Sequence, residues 1–219
     1  MSLAAVVTVF AGFAPTYFLR LRFQTTPLPL YLHVHCLVFT TWIALFGAQT
    51  TLIAARRTDI HRRLGWVGAS LAAVMVVAAI TAAILSGRRD VAAGNEDVAL
   101  TFLTTPLLSM LVFVILIAAA VHCRRSPETH KRLMLLATIS ILDAAVARWP
   151  VALVSATPSA YYVLTDGFIL IAAAYDLSSR KRVHAAYLWG GLLVVAAQFS
   201  RDVLGRTAAW HAFAHLLIG

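Results

Sequence analysis

The sequence predicts an all-α, polytopic transmembrane helical bundle of about seven spans, and three observations carry that expectation. The 219 residues are 61% hydrophobic and only 12% charged, with a mean hydropathy of +0.83. A soluble domain of that size carries about 25% charge, so too little polar surface is left for a water-soluble globule. Long apolar runs approach the roughly 20 residues that a spanning helix needs. Double-basic segments punctuate those runs: Arg56-Arg57 with Arg62-Arg63, Arg124-Arg125 with Lys131-Arg132, and Arg180-Lys181-Arg182. The runs are continuous and do not alternate, which argues against a barrel of strands.

The expected spans are 3–19, 30–55, 63–86, 99–122, 132–155, 159–177 and 184–204. The first is short and carries Pro15, which removes a backbone donor and predicts a kink or tilt. It has no basic leader and no small-residue cleavage site, and reads as a retained helix, not a signal peptide. The tail 207–219, with Trp210, is too short to span and reads as interfacial. The chain is thus one transmembrane domain, 1–219, with six spans as the alternative to seven if the first or last run stays out of the bilayer.

Basic residues in short loops orient membrane helices. Loops 56–62, 123–131 and 178–183 are therefore expected inside, with the N-terminus inside and the C-terminus outside. The formal net charge of +9 is spent mostly in these loops, where it meets anionic lipid, so nucleic acid is not the expected partner. Cys36 and Cys123 fall towards opposite faces, which argues against a disulfide, and no CxxC motif is present.

An internal echo runs through two of the loops. Arg56-Arg57-Thr58-Asp59-Ile60-His61-Arg62-Arg63-Leu64 resembles Arg124-Arg125-Ser126-Pro127-Glu128-Thr129-His130-Lys131-Arg132-Leu133. Each reads as two arginines, a short acidic turn, a histidine, two basic residues and a leucine, with a Ser, Thr or Asp able to cap the next helix. A duplicated helical hairpin, spans two and three against four and five, accounts for the echo; convergence on good loop chemistry is the other account.

Ionisable groups inside a bilayer are costly and mark candidate sites. Asp143 lies about twelve residues into its span, roughly 18 Å deep at 1.5 Å per residue. Arg148 lies further along the same run and Asp166 lies in the sixth span, so the three could meet in the outer half. One reading is a buried ion pair of Asp143 or Asp166 with Arg148 that sets helix register. The other is a catalytic or substrate-anchoring site, with the two aspartates as acid and base.

Histidines form two sets. His33, His35, His211 and His215 fall towards the outer face and are candidate metal ligands; His211 and His215 are spaced i, i+4, so one helix could present both. His61, His122, His130 and His184 fall at inner helix ends, where two on different helices at one depth could hold a b-type haem. His35 also heads a stripe of Phe39, Trp42, Phe46 and Gln49 at helical spacing, fit either to line a cofactor or quinone pocket or to pack as an interface. No Gly-rich phosphate loop or zinc-cysteine cluster is present. The two lysines, Lys131 and Lys181, lie in or beside loops, which excludes a mid-membrane retinal Schiff base.

Leu32-His33-Val34-His35, Trp42, Gln49, His61-Arg62-Arg63-Leu64-Gly65, His130-Lys131-Arg132-Leu133-Met134 and Val183-His184 with Leu188-Trp189-Gly190-Gly191 resemble an uncharacterised family of multi-helix bacterial inner-membrane proteins. The resemblance implies an all-helical bundle, a multi-pass protein of the bacterial inner (cytoplasmic) membrane, and no assigned activity. A looser similarity, confined to a short motif, links the chain to cytochrome b561-like and haem A synthase-like bundles, some of which use histidines beside basic residues as haem ligands. This chain departs from that pattern because its inner histidines lie at span ends. Three functions are therefore expected as alternatives. The first is a haem protein that exchanges electrons with quinone. The second is a noncatalytic accessory subunit of a membrane complex, or a small transporter. The third is a membrane-embedded acid–base enzyme acting on a lipid or isoprenoid.

Overall fold

A computed structural model of the chain describes residues 1–23, 27–149 and 160–219, and every regular element among them is helical. Helix α1, Ser2–Phe13, continues into a π-helical turn over Ala14–Phe18. Pro15 has no amide hydrogen for the regular ladder. The Leu19 amide reaches the Ala14 carbonyl, five residues back, at 2.7 Å, so the irregularity at Pro15 is a widened turn.

Helix α2, Leu30–Ala54, follows an extended Pro29. It stops because Arg56 adopts a left-handed conformation, φ 57°. The Arg57 amide then bonds the Leu52 carbonyl at 2.8 Å and the Arg56 amide bonds Ile53 at 3.0 Å. That is a Schellman closure with arginine where glycine is usual. Helix α3, Thr58–Ala92, has 35 residues. At 1.5 Å per residue it is roughly 52 Å long, well beyond a hydrocarbon core of about 30 Å. It ends in the same closure, this time with Gly94 at φ 85°.

Helices α4, Glu96–Phe102, and α5, Thr104–His122, form one apolar rod, Glu96–Arg125, completed by a 3-10 turn. Helix α6, Pro127–Ile139, starts with Ser126 at its N-cap and proline in its first turn. Helix α7 is a single turn, Asp143–Val146. Helix α8, Ala160–Arg180, ends at a left-handed Lys181, φ 60°. Helices α9, Ala185–Gly205, and α10, Ala208–Ile218, complete the chain.

Among the described residues four helical segments are long and apolar enough to cross a membrane: Leu30–Ala54, Thr58–Ala92, Glu96–Arg125 and Ala160–Arg180. Ser2–Phe18 and Ala208–Ile218 are apolar but shorter. Helix α9 has 21 residues but carries Gln198, Arg201 and Asp202. The expected continuous span 132–155 is interrupted after Ile139. There the Ser140 hydroxyl donates to the Ala137 carbonyl at 2.9 Å, and the Ile141 and Leu142 amides bond only three residues back. The remainder of that span, beyond Trp149, lies outside the described residues.

Helices α2 and α3 form one hairpin, α5 and α6 another, and α9 packs across both members of the second. Met75, Phe113, Leu116, Leu133 and Leu136 are completely buried where they meet. Trp42 of α2 stands edge-on to Phe113, ring centroids 5.2 Å apart, and donates its indole N–H to Thr138 Oγ1 at 3.3 Å. Between apolar helices in lipid, association rests on close packing, which small residues allow. A Cβ at Gly12 would strike the Ala145 carbonyl oxygen, so α1 lies directly on the backbone of α7.

Gly12→Val is therefore expected to push α1 off α7. A loss on the order of 1–3 kcal/mol, typical of overpacking, would lower the melting midpoint of the detergent-solubilised protein. Gly65→Ala, where a Cβ meets nothing within 4 Å, serves as the silent control. Equal midpoints for both variants would refute the close approach.

Candidate functional site

The break after Ile139 gives Asp143 its place. Freed from the α6 ladder, it opens α7 and turns its carboxylate to α9, where Arg201 Nη1 donates to Oδ2 at 2.8 Å. Both side chains are buried, 7% and 3% exposed. Arg201 Nη2 also donates to Ser109 Oγ at 2.9 Å, and its guanidinium lies 5.2 Å from the centre of the Tyr162 ring. The partner of Asp143 is thus Arg201, not Arg148 as the spacing had suggested. Asp166 is not in the pair: it accepts from Gln198 Nε2 at 3.1 Å. Asp143 is thus held by Arg201 and Asp166 by Gln198.

Arg148, one turn beyond α7, donates from Nη1 to the Ala144 carbonyl at 2.5 Å and stands 4.9 Å over the Phe13 ring. It lines a cavity of about 630 Å³ between α1, α2, α3, α5 and α7. Most of the wall is apolar, including Phe39, Ile43, Ala79 and Met110. The polar side chains on it include His35, Ser109, Asp143, Arg148 and Tyr161. Two of these carry buried atoms without a partner among the described residues, His35 Nδ1 and Asp143 Oδ1. Buried polar atoms are nearly always satisfied, so orphans around a cavity are open binding capacity.

The expected stripe on α2 divides. His35 and Phe39, ring centroids 4.2 Å apart, belong to the cavity. Trp42 and Phe46 are buried in the bundle, and Gln49 Nε2 donates to the His61 carbonyl at 3.3 Å. His33, on the other side of α2, packs against Tyr17 at 5.7 Å.

At the end of the bundle that carries the basic loops, the two echo histidines meet. The rings of His61 and His130 stand 6.4 Å apart, edge to face. His130 Nδ1–H donates to the Ala120 carbonyl at 2.8 Å, which leaves Nε2 as the bare nitrogen. Among the described residues His61 Nδ1 and Gln49 Oε1 are buried without a partner. His184 caps α9, accepting from the Ala186 amide at 3.1 Å, and His122 is exposed at the end of α5.

Beside them Arg132, 2% exposed, makes a two-pronged ion pair with Asp176 of α8, 2.7 Å from Nε and 2.5 Å from Nη2. Glu128 receives Arg132 at 2.7 Å, Lys131 at 3.0 Å and Arg180 at 2.6 Å, tying the second basic loop to the third. Hydrogen bonds from Arg132 and Lys131 hold the Glu128 carboxyl well below the usual carboxylate range, at about 2. At the opposite end, His211 lies 3.8 Å from Asp97 and its Nε2–H donates to the Gly205 carbonyl at 2.9 Å; His215 lies 3.4 Å from Glu96. Among the described residues no group of three or more His, Cys, Asp or Glu side chains could hold a metal ion. Cys36 and Cys123 are both free, and Cys36 lines the cavity.

Arg201, Arg132 and Asp176 are the residues that sequence reasoning passed over. Arg201 falls inside the expected span 184–204, where any ionisable side chain signals a partner. Arg132 and Asp176 sit at span ends beside basic loops. Comparison with protein-family models, with curated proteins and with solved structures finds no match.

Removing one partner of a buried pair strands a charge, at a cost on the order of 3–5 kcal/mol. Asp176→Ala should accordingly lose most monodisperse protein on size-exclusion chromatography. The double change Arg132→Met with Asp176→Leu should recover much of it. A stable, wild-type-like Asp176→Ala protein would show that the pair does not hold α6 to α8.

Proposed function

We propose that this chain is a multi-pass membrane protein that holds a lipophilic small molecule in its cavity, with the basic loops inside and the cavity in the outer half. The single observation that carries this reading is the cavity itself. Its volume of about 630 Å³ falls in the range of roughly 300–1,000 Å³ found for ligand pockets. It combines an apolar wall with a few convergent polar groups, His35, Asp143 and Arg148. Such a wall takes a ring or chain, and the polar groups orient its head. The arrangement suits binding or carriage of a membrane-soluble compound, quinone or lipid, within a bundle of about seven passes in the bacterial inner membrane. The small-transporter role is closest to this reading.

Ala83 lines the cavity, so Ala83→Trp should fill it. Mass spectrometry of organic extracts from the purified protein should find a lipophilic compound in near-stoichiometric amount, lost in the Ala83→Trp variant. Its absence from wild type, or its equal retention in the filled variant, would refute the reading.

A second reading is supported by His61 and His130. A metal held between two ring nitrogens at about 2 Å from each needs imidazoles spaced much as these are, at 6.4 Å. Metal-binding histidines characteristically donate the other ring N–H to a carbonyl, as His130 does to Ala120. His61 and His130 would hold a b-type haem, which would supply a one-electron couple. Visible spectra of protein made with ample haem, oxidised and then dithionite-reduced, test this. A Soret band abolished by His130→Ala is the expected result, and a featureless spectrum rules haem out.

A further inference from the structure

We propose that the cavity's ligand carries an oxyanion head, a carboxylate or a phosphate, and that Arg148 is its anchor. The inference rests on the cavity being a binding site, and it names the chemistry that site selects.

Arg148 is a permanent cation on the cavity wall, and this chain provides it with no counter-ion. All nine carboxylates lie within the described residues. Asp143 is taken by Arg201 at 2.8 Å. Glu128 and Asp176 are taken by Arg132 and its neighbours. Asp59 pairs with Arg57 and Asp166 with Gln198, while Glu96 and Asp97 face His215 and His211. Asp90 and Asp202 remain, and neither comes within 4.0 Å of any cationic side chain. Asp90 also borders the cavity, on the same turn as Arg88 and Arg89.

Among the described residues the guanidinium has only the Ala144 carbonyl and the face of Phe13. A guanidinium has five N–H donors in a planar fork that matches two oxygens of one oxyanion. Arg148 is exposed on the cavity lining, so its fork is open to an incoming ligand. The charged side chains on the lining are Asp90, Asp143 and Arg148; Asp143 is bonded to Arg201, and Arg148 is the cation on the wall. An anionic head there would neutralise it, and His35, which also lines the cavity, offers a second polar contact. The apolar remainder of the wall, Phe39, Ile43 and Met110 among it, takes the tail.

The test uses the full chain in nanodiscs of zwitterionic lipid, with a fluorescent long-chain carboxylate, its methyl ester, a lysophosphatidate competitor and a neutral quinone. Wild type is expected to bind the carboxylate roughly tenfold or more tighter than the ester, as one charge-assisted pair implies. Arg148→Gln should reduce carboxylate affinity to the level of the ester and leave the ester unchanged. Arg148→Lys, which keeps the charge but not the fork, should fall between. Lysophosphatidate displacing the carboxylate at lower concentration would assign the head as phosphate, and the reverse as carboxylate. Equal binding of acid, ester and quinone to wild type, with Arg148→Gln unchanged, overturns the anionic head while leaving the cavity reading intact. If no probe binds and Ala83→Trp changes nothing, both fall. The acid-to-ester ratio on wild type decides the matter even if the Arg148 variants fold poorly.

Discussion

Two arginines are taken almost wholly out of solvent in this bundle, and the helices close only because a carboxylate goes with each. Arg132 joins α6 to α8 through Asp176, and Arg201 joins α9 to α7 through Asp143. A lone charge in that position would cost several kcal/mol, so each pair fixes which helices are neighbours and at what height. The demand explains the interruption after Ile139. An unbroken helix through 132–155 would keep Asp143 on the α6 ladder; the break lets it open a new turn facing Arg201. The cavity lies beside this break, walled in part by the chain that α6 leaves behind.

Much of the fold was legible in the sequence. Long apolar runs separated by basic loops marked the all-helical bundle, and four of them are long, apolar helices in the structure. The interruption after Ile139 was not legible, because Ser140, Ile141 and Leu142 are compatible with a continuing helix and only the distant Arg201 draws the chain out of it. The ionisable residues were found by depth, but their partners were not. Asp143 and Arg148 are five apart on one run, which made a local pair the economical guess. The true partner is 58 residues away on α9, a distance no periodicity reports. His35 was singled out as the head of a stripe, yet the stripe's two halves do different work, one open to the cavity and one closed in the core.

The echo between the two basic loops has a spatial counterpart. His61 and His130 occupy equivalent places in their segments and face each other across 6.4 Å, with the Gln49 amide holding the backbone of the first and the Ala120 carbonyl holding the ring of the second. Their hydrogen bonding is not equivalent, so whatever symmetry the hairpins share stops at the backbone.

Arg56 and Lys181 both close helices in the left-handed region, at φ 57° and 60°. For a residue with a side chain that conformation costs roughly 1–2 kcal/mol, which glycine at Gly94 avoids. Yet basic residues in short loops are what orient a chain as it enters the bilayer. At these two turns the needs of insertion and of folding oppose one another. A glycine there would relax the finished protein and remove a positive charge from a short loop between helices.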